Sequence, residues 1–281
     1  MDIKIKTPAK LNLTLEVVNK RPDGFHNIKS VMQTIDLYDY LTFNIKKSNN
    51  TSINLSGTSS EIPYDSNNLI FKAAELFFNK TGISGYKVDI YLEKNIPVSA
   101  GLAGGSSNAA GTLYGLNKMF DDRLSKVELH ELCGCLGSDL NVCLEGGCLL
   151  ATGRGETVEK LPFVNSRVSL IKPDDVGISA KEAYTKYSLL KNKPNYGMTS
   201  KMVDSIKIRT DIRQFLYNDL EMAIFDDYKE FQLIKRRYPH AVMTGSGSAY
   251  FMLNENFEQI NGFWVKNGLN FIPDGVSICM C

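Results

Sequence analysis

The stretch Pro97-Val98-Ser99-Ala100-Gly101-Leu102-Ala103-Gly104-Gly105-Ser106-Ser107-Asn108-Ala109-Ala110 decides how this chain is read. Before it, Val88, Ile90 and Leu92 alternate with polar residues, the period of a half-buried strand. After it, Ala109, Leu113, Leu116 and Phe120 recur at helical spacing. A glycine loop therefore joins a strand to a helix. Glycines let backbone N–H groups approach a ligand with no Cβ in the way. The first turn of a helix presents unpaired N–H groups at the positive end of its dipole, where an anion is welcome. Ser106 and Ser107 add hydroxyls at the same place. No Lys follows the glycines, so this is not the G-x-x-x-x-G-K-[ST] loop, and it is not G-x-G-x-x-G either. Two readings stand on local sequence, a bare strand-to-helix turn and a phosphate cradle. Two serines behind the glycines, opening an Ala-rich helix, favour the cradle.

The rest of the chain sets bounds on that reading. Its 281 residues suffice for one large domain or two ordinary ones. With 43% hydrophobic and 22% charged residues it has the composition of a soluble globular protein. A formal net charge of +1 gives no bulk electrostatic case for a nucleic-acid or membrane-surface partner. No apolar run reaches the length of a membrane span. The N-terminus, Met1-Asp2-Ile3-Lys4-Ile5-Lys6, alternates like a strand and lacks the apolar core of a signal peptide, so a cytoplasmic location is expected. Cys133, Cys135, Cys143, Cys148, Cys279 and Cys281 do not fall at the usual zinc spacings, and the three histidines are far apart. Reduced, mostly buried thiols are expected.

Three segments outside the loop invite a functional reading beside a structural one. In Pro8-Ala9-Lys10-Leu11-Asn12, Lys10 and Asn12 share one face of an extended segment while Leu11, Leu13 and Leu15 point the other way. Lys10 is either a surface cation lying along apolar neighbours or a cation aimed into a pocket. Arg21-Pro22-Asp23-Gly24 reads as a turn, followed at once by Phe25 and His26. These two form an ordinary hairpin tip, or a ring and an imidazole suited to a planar base. Asp139, just behind Gly137, is either the N-cap of a short helix or a carboxylate in a site. For the elements, strands are expected over residues 3–7, 11–18, 31–36, 40–45 and 86–93, with residues 48–60 a loop or an exposed edge. Helices are expected over 67–80, 126–136 (where Ser125 and Glu128 make a capping box), 179–188, 211–225, 228–237 and 256–266, with a last strand near 275–280.

Taken in order, Pro8-Ala9-Lys10-Leu11-Asn12-Leu13, the Pro97 to Ala110 loop and Gly245-Ser246-Gly247 make the chain resemble the GHMP kinases, which phosphorylate small molecules. Further marks are Arg21 to His26, Gly137-Ser138-Asp139, Ala151-Thr152-Gly153-Arg154-Gly155-Glu156, Lys172-Pro173 and Asn218-Asp219-Leu220-Glu221. These bring it nearer to the branch acting on a cytidine diphosphate conjugate of methylerythritol, and further from the homoserine and mevalonate branches, whose substrates have no base to stack. The resemblance implies an α+β protein of two domains. The first is a mixed α/β domain over 1–157 with the glycine-loop helix, and the second a ferredoxin-like α/β sandwich over 158–281, with the site between them. It implies ATP as co-substrate, with Mg2+, and transfer of the γ-phosphoryl group to a hydroxyl of the conjugate in isoprenoid precursor synthesis. Pro97 to Ser107 would wrap the ATP phosphates, with Ser107 contributing to the magnesium. Asp139 would take or orient the hydroxyl proton beside Lys10. Asn12, Phe25, His26 and Tyr184 would hold the second substrate, Tyr184 as a second ring. The expected partners are these small molecules, with no nucleic acid and no membrane, in a monomer or weak homodimer. Two positions depart from the family pattern: Phe25 stands where Tyr is more usual, and Leu140-Asn141-Val142 replaces Val/Ile-Pro-Phe. A non-catalytic nucleotide-binding regulator is the reading from another class, and retention of both Lys10 and Asp139 argues against it.

Overall fold

The computed structural model describes residues 2–191 and 196–279. Its scaffold is one long strand, His26–Lys47, to which the other strands of a nine-stranded sheet are attached directly or through a neighbour. Asp2–Asn12 runs antiparallel along almost its full length, from Asp2 opposite Asn44 to Asn12 opposite Met32. Thr14–Lys20 pairs antiparallel with its first part, and Tyr86–Glu93 with its last. The two N-terminal strands are thus not paired with each other; the long strand lies between them. Ser52–Gly57 adds a parallel edge beside Tyr86–Glu93, within the stretch expected as a loop or exposed edge. Cys148–Thr152 pairs with Ser30 to Gln33 and carries Thr157–Lys160.

Four helices cover one face of this sheet: Leu69–Thr81, Gly104–Met119, Lys126–Leu136 and Leu140–Glu145. Their apolar stripes meet Ile5, Leu41, Phe43, Val88 and Ile90 in one core. The capping box is present, with Ser125 accepting from the Glu128 N–H and Glu128 accepting from the Ser125 N–H. Gly104–Met119 lies unusually close to the first strand. A Cβ added at Gly111 would stand 2.3 Å from Thr7 Cγ2, so only glycine allows this approach. The effect is to bring the N-terminus of that helix beside Lys10.

The second sheet has four antiparallel strands in the order Val242–Met243, Tyr250–Leu253, Arg167–Pro173, Phe263–Asn270. Numbered along the chain this is 2-3-1-4, the strand order of a ferredoxin-like sandwich. Helices Ala180–Leu189, Met198–Ile208, Asp219–Ile224 and Lys229–Arg237 lie in the same part of the sequence, and Met198–Ile208 packs on Thr14–Lys20 and His26–Lys47 of the first sheet. Two expected elements differ. Residues 256–266 are not a helix: Gly262, at φ +80°, turns the chain into the strand Phe263–Asn270, whose Phe263 and Val265 pair opposite Pro173 and Ile171. The helix expected over 211–225 is broken into a single 3-10 turn at Arg213–Phe215, the short strand Tyr217–Asn218 and Asp219–Ile224. Asn218 starts that last helix by accepting from the Leu220 N–H. Met198–Ile208, with Met202, Val203 and Ile206 buried, has no counterpart in the expected elements. The last strand, Ser277–Ile278, returns to pair with Ile5 and Lys6.

Among the described residues no helix is long and apolar enough to cross a membrane, and no cluster of His, Cys, Asp and Glu could hold a metal ion. Cys133, Cys143 and Cys148 are free and buried, and burial pushes each thiol up to about 12. Cys135 is free and exposed, Cys279 is half-buried, and Cys281 lies outside the described residues.

Candidate active site

One cavity of about 990 Å³ runs between the glycine loop, the first strand, the Phe25–His26 turn and helix Ala180–Leu189. Its walls carry five cationic side chains, Lys10, Lys20, Lys94, Arg154 and Lys181, against one carboxylate, Asp139. On a chain whose net charge is only +1 this is a local concentration of positive charge, which suits polyanionic ligands.

The centre is built on Lys10. The residue is 2% exposed, so it is a pocket cation and not a surface one. Its ammonium has three donors, and three acceptors surround it: Asn12 Oδ1 at 2.6 Å, Gly101 O at 3.1 Å and Asp139 Oδ2 at 3.3 Å. Asp139 stands at the N-cap position of Leu140–Glu145, but its side chain caps nothing there. With the capping role vacant, the carboxylate is turned to Lys10 and the cavity. Asn12 is held on both sides of its amide, since Nδ2 donates to Ser30 Oγ at 2.8 Å while Oδ1 accepts from Lys10.

The glycine loop is fixed by its backbone. Lys10 N–H donates to Leu102 O, and the Ser248 and Ala249 N–H groups donate to Ser99 O and Ala100 O. Gly101, at φ +74°, lies so close to the second glycine turn that a Cβ there would be 2.0 Å from Thr244 O. Thr244 Oγ1 in turn accepts from the Asn12 N–H at 2.9 Å. Ala103, itself at φ +58°, precedes Gly104–Met119 and offers no side-chain cap. The positive end of that helix is therefore open to a ligand. Pro97 to Ser106 all line the cavity. Ser107 does not: its hydroxyl donates to Pro8 O at 2.7 Å, and the residue is fully buried. The expected contribution of Ser107 to a phosphate or a metal is replaced by a structural bond between helix and first strand, and Ser106 is the serine on the cavity side.

Phe25, His26 and Tyr184 line the other end. The rings of His26 and Tyr184 are stacked, with centroids 5.1 Å apart and planes 17° apart, and His26 Nε2 meets Ser188 Oγ at 3.0 Å. Phe25 is 52% exposed, with the Arg154 guanidinium 5.1 Å from its ring centroid. All four residues expected to hold the second substrate, Asn12 included, thus share one cavity with Lys10 and Asp139.

Lys94 and Arg154 are cavity cations with no role expected from the sequence. Lys94 sits where the strand leads into the glycine loop and pairs with the fully buried Asp39 at 2.7 Å. Burial pulls its ammonium below the ordinary lysine value, against the pull of Asp39. A cation just before a glycine loop was the signal available. Arg154, inside a recognised mark but with no role attached, is oriented by a bond from its guanidinium to Gly134 O. Asn141, in place of the usual Pro, donates to Glu156 O at 2.8 Å and so ties the Asp139 helix to the turn bearing Arg154.

A glycine-loop helix facing a Lys–Asp pair is the arrangement of a small-molecule kinase, and comparison with known proteins agrees. The model of the GHMP kinases N terminal domain matches residues 68–147, which contain the loop and Asp139. The chain is 38% identical over 299 residues to the 4-diphosphocytidyl-2-C-methyl-D-erythritol kinase of Prochlorococcus marinus (strain MIT 9301), covering 99% of this chain and 94% of that one. A crystal structure of a 4-(cytidine 5'-diphospho)-2C-methyl-D-erythritol kinase superposes with a TM-score of 0.74 at 26% identity, over 96% of this chain and 99% of that one. A homoserine kinase from Cytophaga hutchinsonii superposes with a TM-score of 0.77 at 18% identity, over 99% and 97% of the two chains, and shares the fold. The chain belongs to the 4-diphosphocytidyl-2-C-methyl-D-erythritol kinases, within the GHMP kinases.

Proposed function

We infer that the protein transfers the γ-phosphoryl group of ATP to the 2-hydroxyl of 4-diphosphocytidyl-2-C-methyl-D-erythritol, a step of the non-mevalonate isoprenoid precursor pathway. The observation that carries this reading is the Lys10–Asp139 pair, 3.3 Å apart, in one cavity with an open helix N-terminus and the rings of Phe25, His26 and Tyr184. In the step, the substrate oxygen bonds to the γ-phosphorus, the bond to the β-phosphate oxygen breaks, and ADP leaves. Asp139 orients the hydroxyl and takes its proton. Lys10, held by Asn12 and Gly101 O, offsets charge on the transferring oxygens, which a loose phosphoryl transition state spreads widely. The N–H groups at Gly104, Gly105 and Ser106 take the phosphates. Asn12 serves the second substrate chiefly by aiming Lys10. Phe25, His26 and Tyr184 take the cytosine, by stacking and by an imidazole hydrogen bond that rejects bases lacking the matching edge.

Magnesium is expected to arrive with ATP. The site suits that mode, offering Asp139 and the Ser106 hydroxyl but no full protein cage, as is usual for an ion carried largely by phosphates. The ion supplies charge neutralisation on the phosphates. The proposed division at residues 157 and 158 leaves all four strands of the second sheet on one side. A cytoplasmic monomer or weak homodimer, without nucleic-acid or membrane partners, completes the proposal.

A coupled ADP-release assay with the cytidine conjugate, mevalonate and homoserine tests it. Turnover of the conjugate is expected. Turnover of mevalonate or homoserine without the conjugate refutes the substrate, and no ADP release from any of them refutes the enzyme. Asp139→Ala should lower kcat by about 10²-fold or more, the usual size for a positioned acid–base group, and near-normal kcat would reduce Asp139 to a structural role.

A further inference from the structure

Asp219, in the Asn218-Asp219-Leu220-Glu221 segment, does not line the cavity, yet it is bonded both to the strand paired with the His26 strand and to the helix that carries Tyr184. The residue is 2% exposed. One oxygen accepts from the Tyr217 hydroxyl at 2.6 Å. The other accepts from the Val17 N–H at 2.7 Å and the Tyr187 hydroxyl at 3.4 Å. Two of these partners lead to the rings. Val17 lies on Thr14–Lys20, whose pairing with the long strand, Val17 opposite Ile28 and Lys20 opposite His26, carries the turn with Phe25 and His26. Tyr187 lies on Ala180–Leu189, one turn beyond Tyr184 and next to Ser188, the partner of His26 Nε2.

Local geometry explains why a carboxylate is there. Tyr217–Asn218 pairs parallel with Thr14 and Leu15, and then the chain turns into a helix. The N–H that a longer strand would have bonded, on Val17, is taken by the Asp219 side chain instead. Asn218 acts in the other direction: its Nδ2 donates to Met243 O and Gly245 O, anchoring the second glycine turn.

We propose that Asp219 is a positioning residue that sets the spacing and tilt of the His26 and Tyr184 rings, and so the affinity for the nucleobase of the second substrate. The proposal rests on the assignment of the aromatic end to cytosine. Asp219 touches no ligand; it acts by fixing a strand and a helix to each other. A stacked base tolerates little change in ring spacing, so loosening this clamp should weaken base binding and leave the ATP end, on the far side of Lys10, nearly untouched.

The test compares wild type with Asp219→Ala, Asp219→Asn and Tyr217→Phe in the ADP-release assay, and by calorimetry with CDP and ADP as probes. In Asp219→Ala the KM for the conjugate and the Kd for CDP should rise about tenfold, the scale of a lost charged hydrogen bond, with kcat, ATP KM and ADP Kd within about twofold. Asp219→Asn should restore CDP binding to within about threefold, because its oxygen still accepts from Val17 and its amide can donate to the Tyr217 oxygen. Tyr217→Phe leaves the carboxylate in place and should raise the CDP Kd about threefold, which keeps the test open if Asp219→Ala does not fold. Equal losses at both substrates and in kcat, or a fall in thermal stability with unchanged CDP affinity, would overturn the role of Asp219 alone. Wild-type protein that turns over no conjugate and binds no CDP would take down the cytosine assignment and this inference with it.

Discussion

Replacing Gly105 by Ala separates what the fold needs from what the ligand needs. Gly105 lies in the first turn of Gly104–Met119 and lines the cavity. A Cβ there would have Leu69 Cδ1, at 3.9 Å, as its nearest neighbour, which is ordinary contact. The fold therefore gives no reason for glycine. Alanine is the better helix former, by up to about 1 kcal/mol in a helix interior and less in a first turn, so about 0.5 kcal/mol is expected here. That corresponds to a rise of about 1–2 °C in Tm for a chain of this size. The ligand, on the cradle reading, does need glycine. A methyl group between the N–H groups and the phosphates should cost at least one charge-assisted hydrogen bond, about 1.5–3 kcal/mol, or roughly 10–100-fold in the KM for ATP. The two effects have opposite signs, and scanning calorimetry beside ADP release with ATP varied at saturating conjugate reads both. An unchanged KM for ATP in a protein of normal Tm would refute the phosphate cradle. A Tm lowered by several degrees would refute the packing argument.

Gly101→Ala should behave in the opposite way: with φ at +74° and Thr244 O 2.0 Å from the new Cβ, a loss of about 3 kcal/mol or more is expected in denaturant unfolding, and a loss under 1 kcal/mol would refute the close approach. Phe25→Ala should raise the KM for the conjugate about tenfold with kcat nearly unchanged, since an exposed stacking ring contributes mainly uniform binding; an unaltered KM refutes the stacking role. Glu145 concerns pH. Burial acts to raise its carboxyl, but the bonds from Lys126 and His130 outweigh it and hold the carboxyl below the ordinary glutamate value. A depressed carboxylate contributes stability above its unfolded pKa, about 4.3, which is lost as pH falls through the lower folded value. Glu145→Gln should therefore lower stability by about 1 kcal/mol at pH 7 and narrow its gap to wild type in melts near pH 3.5; a gap independent of pH contradicts this.

Much of this site was legible because the residues that define it act locally. The glycine loop declared its own strand-to-helix turn, and Ser125 with Glu128 declared a helix start, within a few residues of chain. Lys10, Asp139, Phe25, His26 and Tyr184 were legible through resemblance, since nothing local brings positions 10 and 139 together. Where the reading failed, the deciding partner was distant. Ser107 looked like Ser106 until Pro8 O took its hydroxyl across 99 positions of sequence. Lys94 gave no sign of its partner Asp39, which lies on another strand. The segment 256–266 carried apolar residues at helical and at strand spacing alike; pairing with Arg167–Pro173, a long-range event, chose the strand.

The bonds from Ser248 and Ala249 to the carbonyls of Ser99 and Ala100 have a consequence for how nucleotide enters. They stitch the glycine loop, main chain to main chain, to the strand of the second sheet that begins at Tyr250. Parting the two halves along this seam would break these main-chain bonds. On the cradle reading, the phosphates of ATP meet a slot already shaped, and little binding energy is spent on ordering protein.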